Sequence, residues 1–370
     1  MKFALIVFAL SHLVSGHTPS NQEVKAFLNA RCLIGSGVGE CVHNYQCDPA
    51  SNTIISDGAG IIDKRLANDV VTCPLPLVCC GLADPTRGSE PNKAASGCGW
   101  RNKDGVNFTA TVRQHQAKPG EFPWLVSIAR FVQQTGSDFI TSYLGDGSLL
   151  HERAVLTAAH TVDGVDHSLL RVIAGAYDVN VPVLRREIVF VDAVVIHPEY
   201  NNATLINDIA ILYLSWNVTF AEHISPICLP TASSVVPTGT RCISAGWGYN
   251  GKKEYQKSTS MVELPIVDNV ECQSTLRSTT DVGRYYKLHD SFFCAGGDIG
   301  VDTCMGGGGA PLVCPIEEQP GRYLAAGVAS WDMACGDSGV PAVFVRVARM
   351  RGWIDSVMAE KELNTDTYSY

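Results

Sequence analysis

Short hydrophobic runs separated by turn residues dominate the chain from about residue 98 onward. The runs Trp-Leu-Val-Ser-Ile at residues 124–128 and Asp-Ile-Ala-Ile-Leu-Tyr-Leu at residues 208–214 are examples. Runs of this length, rich in β-branched and aromatic residues, are typical of β-strands. Many short strands predict an all-β fold, either a closed barrel or a sandwich.

The last part of the chain follows a different pattern. Its apolar residues recur at the spacing of one helical face: Met350, Trp353, Ile354, Val357 and Met358. This periodicity predicts an amphipathic C-terminal helix that packs its apolar face against the rest of the domain.

The N-terminal segment has the pattern of a secretory signal peptide. Lys2 is followed by an apolar run over residues 3–14, and Ser15 and Gly16 come before His17. We expect cleavage after Gly16, so that residues 1–16 are the signal peptide. The run is too short to cross a bilayer as a helix, and no later apolar run is long enough. We therefore expect a secreted, extracellular protein with no membrane partner.

The cysteines divide the chain into two modules. Fourteen cysteines fit an oxidising compartment, and their even number permits full pairing. Six lie from Cys32 to Cys80, and eight lie from Cys98 to Cys335. Residues 81–97, between the two groups, are rich in Pro, Gly, Ser, Ala and Asn, which indicates a linker.

Charge and glycosylation motifs agree with an extracellular protein. The formal net charge of −9 disfavours a general nucleic-acid binder. N-glycosylation sequons begin at Asn107, Asn202 and Asn217.

The six cysteines of the first module have an informative spacing. Neighbouring cysteines rarely bond each other, so Cys79 and Cys80 must reach different partners and brace a small fold that has little core. The spacing resembles a clip domain, the disulfide module that precedes many arthropod serine proteases, over residues 31–81. The resemblance implies three bridges: Cys32–Cys79, Cys41–Cys73 and Cys47–Cys80.

A pair of basic residues lies in the long loop of this module. Lys64 and Arg65 follow a glycine-containing stretch between Cys47 and Cys73. They either belong to a solvated loop or mark a cleavage point for a trypsin-like protease. Arg87, in the linker, is the competing cleavage site.

Five landmarks in the second module occur in a recognisable order. They are Gly-Glu-Phe-Pro-Trp at residues 120–124, Leu-Thr-Ala-Ala-His at 156–160, Asn-Asp-Ile-Ala-Ile-Leu at 207–212, Cys-Ile-Ser-Ala-Gly-Trp-Gly at 242–248, and Ser330-Trp331. Each is weak alone, but together they resemble the trypsin-like serine proteases. The resemblance implies a double β-barrel with a C-terminal helix over residues 111–361, which follows a linker over residues 82–110.

The same resemblance implies how the second group of cysteines pairs. The implied bridges are Cys98–Cys228, Cys242–Cys314, Cys272–Cys294 and Cys304–Cys335. The bridge that the family has beside its catalytic histidine is missing at both ends, where Gly145 and Thr161 stand.

The most informative departure from the family lies in residues 302–314, Asp-Thr-Cys-Met-Gly-Gly-Gly-Gly-Ala-Pro-Leu-Val-Cys. This stretch resembles the nucleophile loop, which normally reads Cys-X-Gly-Asp-Ser-Gly-Gly-Pro. Gly308 stands at the serine position and has no hydroxyl group with which to attack a carbonyl. His160 matches the general base and Asp208 its orienting partner. We therefore predict a protein that is not an enzyme, in which both are structural remnants.

The activation switch of the family is also absent. Active members are cut before Ile-Val-Gly-Gly, and the new amino group pairs with the Asp beside the nucleophile. Here the equivalent residues 111–114 read Thr-Val-Arg-Gln after Ala110, and Gly307 replaces the Asp. We therefore expect residues 306–309 to lack a charged anchor.

The specificity pocket is only partly retained. Asp302 matches the acidic pocket base of trypsin-like enzymes, but Asp332, Ala334 and Ala342 stand where glycines are usual. We favour Asp302 as a buried remnant that needs a hydrogen-bond partner over a working recognition pocket. Ala176 replaces a carboxylate in the loop that corresponds to the trypsin calcium loop. No metal and no cofactor are therefore expected.

The whole mature chain resembles the clip-domain serine protease homologues of insects. The resemblance implies a non-catalytic cofactor or regulator of prophenoloxidase activation and melanisation in haemolymph, a branch of innate immunity. The implied partners are an upstream clip-domain protease that cuts the chain, other protease homologues, and prophenoloxidase or its activating protease. A pattern-recognition protein that binds microbial surfaces and an adhesion protein of the extracellular matrix remain alternatives.

Overall fold

The computed structural model describes residues 31–34, 37–43, 77–81, 97–106, 112–113, 115–133, 139–178, 184–248, 256–298, 307–332 and 339–370. The chain divides into two compact units, Met1–Pro91 and Asn92–Tyr370. The predicted signal peptide and the candidate cleavage residues Lys64, Arg65 and Arg87 lie outside the described residues.

The first unit contains a three-stranded antiparallel sheet. Its strands are β1 Arg31–Ile34, β2 Gly37–His43 and β3 Leu77–Gly81, with β2 in the centre. In the register of β2 and β3, Cys41 lies opposite Cys79. Cys47 and Cys73 fall outside the described residues, so the three clip-domain bridges stay a prediction.

The second unit begins with a closed antiparallel barrel. Its strands are β4 Leu125–Gln133, β5 Phe139–His151, β6 Ala154–Thr157, β7 Leu170–Ala174, β8 Glu187–Ile196 and β9 Ala210–Leu214. They close in the order β4-β5-β6-β9-β8-β7. Every residue of β9 is buried. Leu212 and Leu214 fill the barrel, whereas Ile211 and Tyr213 point to the opposite face, as the two-residue period of a strand requires.

A second six-stranded barrel follows. Its strands are β10 Arg241–Gly246, β11 Ser260–Val267, β12 Phe292–Gly296, β13 Pro311–Pro315, β14 Tyr323–Trp331 and β15 Pro341–Arg346. They close in the order β10-β11-β12-β15-β14-β13. Phe293 and Phe344 pack inside this barrel, while Phe292 and Val345 join the apolar layer that both barrels share. The predicted all-β, trypsin-like double barrel is therefore confirmed.

Three α-helices occur in the described part of the second unit: α1 Ala159–Val162, α2 Asn269–Thr279 and α3 Val347–Glu360. Helix α3 is the predicted C-terminal helix. Its Ile354 and Met358 are fully buried against the shared layer, and the Tyr213 hydroxyl donates a hydrogen bond to the Val357 carbonyl. Trp353 is only partly buried, at the edge of the helix contact, where its ring lies tilted against that of His197 at 5.0 Å between centroids.

In the described part of this unit, disulfide bonds join three pairs of cysteines. The structure joins Cys98 to Cys228, Cys242 to Cys314, and Cys272 to Cys294, which are pairs that the family resemblance implies. Bridges of this kind contribute roughly 2–4 kcal/mol each, mainly by restricting the unfolded chain. The remaining pair, Cys304 and Cys335, lies outside the described residues.

Candidate functional site

Two strands of the first barrel bring His160 and Asp208 together. Thr157 at the end of β6 pairs with Ala210 at the start of β9. His160 follows β6 and Asp208 precedes β9, so the antiparallel pairing places both residues at the same end of the barrel. His160 Nδ1 lies 2.6 Å from Asp208 Oδ2, and the backbone N–H of His160 donates to Asp208 Oδ1 at 2.8 Å.

The surroundings of Asp208 hold this pair firmly. Asp208 is fully buried, and the Ser330 hydroxyl donates to its Oδ2 at 2.6 Å. A carboxyl group that accepts bonds from the ring and the backbone of the same histidine fixes that ring in one orientation. The orienting pair of a serine protease is therefore assembled in full.

Gly308 lies next to the Nε2 edge of the His160 ring. A side-chain carbon built on Gly308 would lie 2.2 Å from His160 Nε2 and 2.8 Å from its Cε1. Carbon and nitrogen atoms do not approach so closely without a bond. The imidazole ring therefore occupies the volume in which the side chain of a nucleophile would begin, so the site lacks the hydroxyl group and, with the ring in this position, the space for one.

Gly145 and Thr161 stand where the family has a disulfide beside the histidine. A side-chain carbon built on Gly145 would lie 2.8 Å from the methyl carbon of Thr161 and 2.3 Å from the Gly308 carbonyl oxygen. The structure therefore brings the two positions together, and the loop backbone packs closely beside them.

Sequence reasoning missed Asp146, the third ionisable group of this region. Asp146 lies on β5 and is fully buried. Its Oδ2 accepts hydrogen bonds from the backbone N–H of Gly307 at 2.9 Å and of Trp247 at 3.2 Å. The structure therefore gives Gly307, in the described part of the loop, a buried carboxyl partner from β5, which the expectation that residues 306–309 lack a charged anchor did not foresee. A lone acidic residue between two glycines, just before the apolar Leu149 and Leu150, was the available signal.

Burial dominates the electrostatics of this carboxyl group. Removal from water raises the pKa of Asp146 to about 7, and the Tyr143 hydroxyl with the N–H groups of Gly307 and Trp247 offsets only part of that effect. Tyr143 also restricts which residue fits at position 307, since a side-chain carbon built on Gly307 would lie 2.0 Å from the Tyr143 hydroxyl oxygen.

Other predicted site residues are placed as follows. Asp302, Ala334 and Asn107 lie outside the described residues. Ala342 is buried on β15, and Asp332 is partly exposed after β14, so obstruction of the specificity pocket stays a prediction. Asn202 and Asn217 are exposed, as sequon residues must be for modification. Occupancy by glycan stays a prediction.

The structure also describes part of the segment that corresponds to the family's activation site, and it bears on metal binding. Arg113 is exposed, and its carbonyl closes a turn by accepting a bond from the Gln116 N–H. Among the described residues, no group of three or more His, Cys, Asp or Glu side chains is arranged to hold a metal ion. None of the helices in that same part of the chain is long and apolar enough to cross a membrane.

Comparison with known proteins gives the same assignment for both modules. The family model described as Trypsin matches residues 111–354, and the model described as Serine protease Clip domain PPAF-2 matches residues 35–81. The phenoloxidase-activating factor 2 of Galleria mellonella is 40% identical over 83% of this chain and 100% of its own length.

Two relatives from Anopheles gambiae are similar over most of their length. Inactive CLIP domain-containing serine protease A8 is 34% identical over 86% of this chain and 88% of its own. Inactive CLIP domain-containing serine protease A28 is 32% identical over 97% of this chain and 96% of its own. The chain belongs to the trypsin family, as a non-catalytic clip-domain serine protease homologue of insects.

Proposed function

We propose that this protein is a secreted cofactor or regulator of an extracellular protease cascade that leads to prophenoloxidase activation and melanisation in insect haemolymph. The observation that carries the proposal is the His160–Asp208 pair, which is assembled as in a protease but has no nucleophile beside it. A protein with this site keeps the surface of a protease without cleaving peptide bonds, as a non-catalytic cofactor would. Similarity to the Galleria mellonella factor over its full length supports the cascade. The partners proposed are an upstream clip-domain protease, other protease homologues, and prophenoloxidase or its activating protease.

Depletion of the protein from haemolymph tests this role. Phenoloxidase activity is measured after microbial challenge, with and without added recombinant protein. The proposal expects depletion to change phenoloxidase activity and the recombinant protein to reverse that change. Unaltered phenoloxidase after complete depletion would contradict the cascade role. Pull-down on bacteria in the same preparation would then show whether the protein acts on microbial surfaces instead.

Cleavage near Arg65 is the second part of the proposal. Lys64 and Arg65 stand in the sequence between Cys47 and Cys73, in a stretch with glycine and polar residues that we expect to be accessible to a protease. A cut inside the clip-domain bridges leaves the fragments joined, so they separate on gels only after reduction. The variants Arg65→Gln and Arg87→Gln are compared. A chain that is cut only at Arg87, or whose fragments part without reductant, contradicts this assignment.

A further inference from the structure

The carboxyl group of Asp146 joins three separate segments of the barrel unit. It extends from β5 of the first barrel to Gly307, which precedes β13, and to Trp247, which follows β10. Both N–H groups donate to the same oxygen atom. A single buried acceptor therefore connects the first barrel to two loops of the second.

The loop that follows Gly307 is held from both sides. The Asp146 N–H donates to the Gly308 carbonyl at 2.9 Å, so the aspartate bonds the loop through its backbone as well as its side chain. On the other side, the Gly309 N–H donates to the Ala329 carbonyl at 2.9 Å. The Thr157 hydroxyl donates to the Asp146 carbonyl at 2.7 Å and supports this part of β5 from β6.

The glycines of the loop are what allow Asp146 to occupy this position. A carbon built on Gly307 would lie 3.1 Å from Asp146 Oδ2, so an aspartate there would place a second carboxyl group in the same buried space. Two carboxyl groups at one buried site repel each other when both are ionised. Gly309 has φ of +87°, and a carbon on it would lie 2.2 Å from both the Asp146 carbonyl oxygen and the Thr157 hydroxyl.

We propose that Asp146 is a positioning residue that holds residues 307–309 in one conformation from inside the barrel unit, so that the surface around His160 is formed before any cleavage of the chain. No amino group released by proteolysis is needed to order this loop. The inference concerns the barrel unit alone and does not depend on the proposed cascade role.

Hydrogen–deuterium exchange on the intact secreted protein tests this inference. Peptides that contain residues 307–310 are followed before and after limited digestion with trypsin, with the cut position identified by N-terminal sequencing. The wild-type loop is expected to be equally protected in both states. Protection that appears only after cleavage overturns the proposal, and this comparison requires no variant.

Two substitutions of Asp146 separate the hydrogen bond from the charge. Asp146→Asn keeps an acceptor for Gly307 and Trp247 and is expected to keep the loop protected. Asp146→Ala leaves two buried donors without an acceptor, so exchange at residues 307–310 is expected to be at least about tenfold faster. Exchange in peptides from α3 should be the same in the Asp146 variants as in the wild type. The control variant Asp281→Ala, at an exposed position, should leave exchange at residues 307–310 unchanged. Unchanged loop exchange in Asp146→Ala would also overturn the proposal.

Discussion

Replacing Gly308 by serine returns the missing hydroxyl group to a site in which the His160 ring occupies the position of the new carbon atom. The serine Cβ would lie 2.2 Å from His160 Nε2, about 1.2 Å inside the 3.4 Å at which ordinary contact begins. It would also lie 3.2 Å from the Thr161 hydroxyl oxygen. Either the imidazole ring or the loop must therefore move.

Hydrogen bonds oppose both movements in this structure. The His160 ring is hydrogen-bonded to the fully buried Asp208. The loop is hydrogen-bonded to Asp146 through Gly307 and Gly308. Insertion of extra atoms into a packed site costs about 1–3 kcal/mol. In a domain of this size, that cost corresponds to a decrease in Tm of roughly 2–12 °C.

Thermal unfolding and hydrolysis of an arginine ester check the two halves of this prediction. Gly308→Ala is the matched control because it adds the same carbon without the hydroxyl. We expect both variants to lose similar stability and neither to hydrolyse the ester above background, since the serine displaces the ring that should accept its proton. A Gly308→Ser protein with the wild-type Tm and clear ester hydrolysis would refute the reasoning, because the site would then accommodate a nucleophile.

Three further predictions concern the pH dependence of stability, the stability of α3 and the pairing of the cysteines. The raised pKa of Asp146, about 7, means that the folded state keeps a proton that the unfolded chain releases. Stability should therefore fall by roughly 2–3 kcal/mol between about pH 5 and pH 8 through this group, and urea titrations of Asp146→Asn should lack that decrease. Gly352→Ala adds a carbon to α3 where nothing lies within 4 Å, so it should raise the unfolding free energy by about 0.5–1 kcal/mol; a decrease on denaturant titration would contradict this. Alkylation of the unfolded, unreduced protein should label no cysteine, and stoichiometric labelling found by mass spectrometry would contradict the proposed pairing.

The sequence alone predicted those features of the protein that depend on one residue or on its near neighbours in the chain. The apolar spacing at the C-terminus predicted α3, because a helical face repeats over three or four residues and needs no distant partner. The short runs predicted strands for the same reason. Loss of catalysis also follows locally, since Gly308 has no side chain in any fold.

Tertiary structure alone decided how the nucleophile loop is held. Asp146 and Gly307 are 161 residues apart in the chain, and their bond exists only because β5 of one barrel meets a loop of the other. No periodicity or motif connects such positions. The sequence analysis did not foresee this hydrogen bond for the same reason, because it considered only the two ends of the family's usual ion pair. The absence of space at Gly308 is likewise a property of packing, since Asp208 and Asp146 place the ring and the loop against each other from opposite sides.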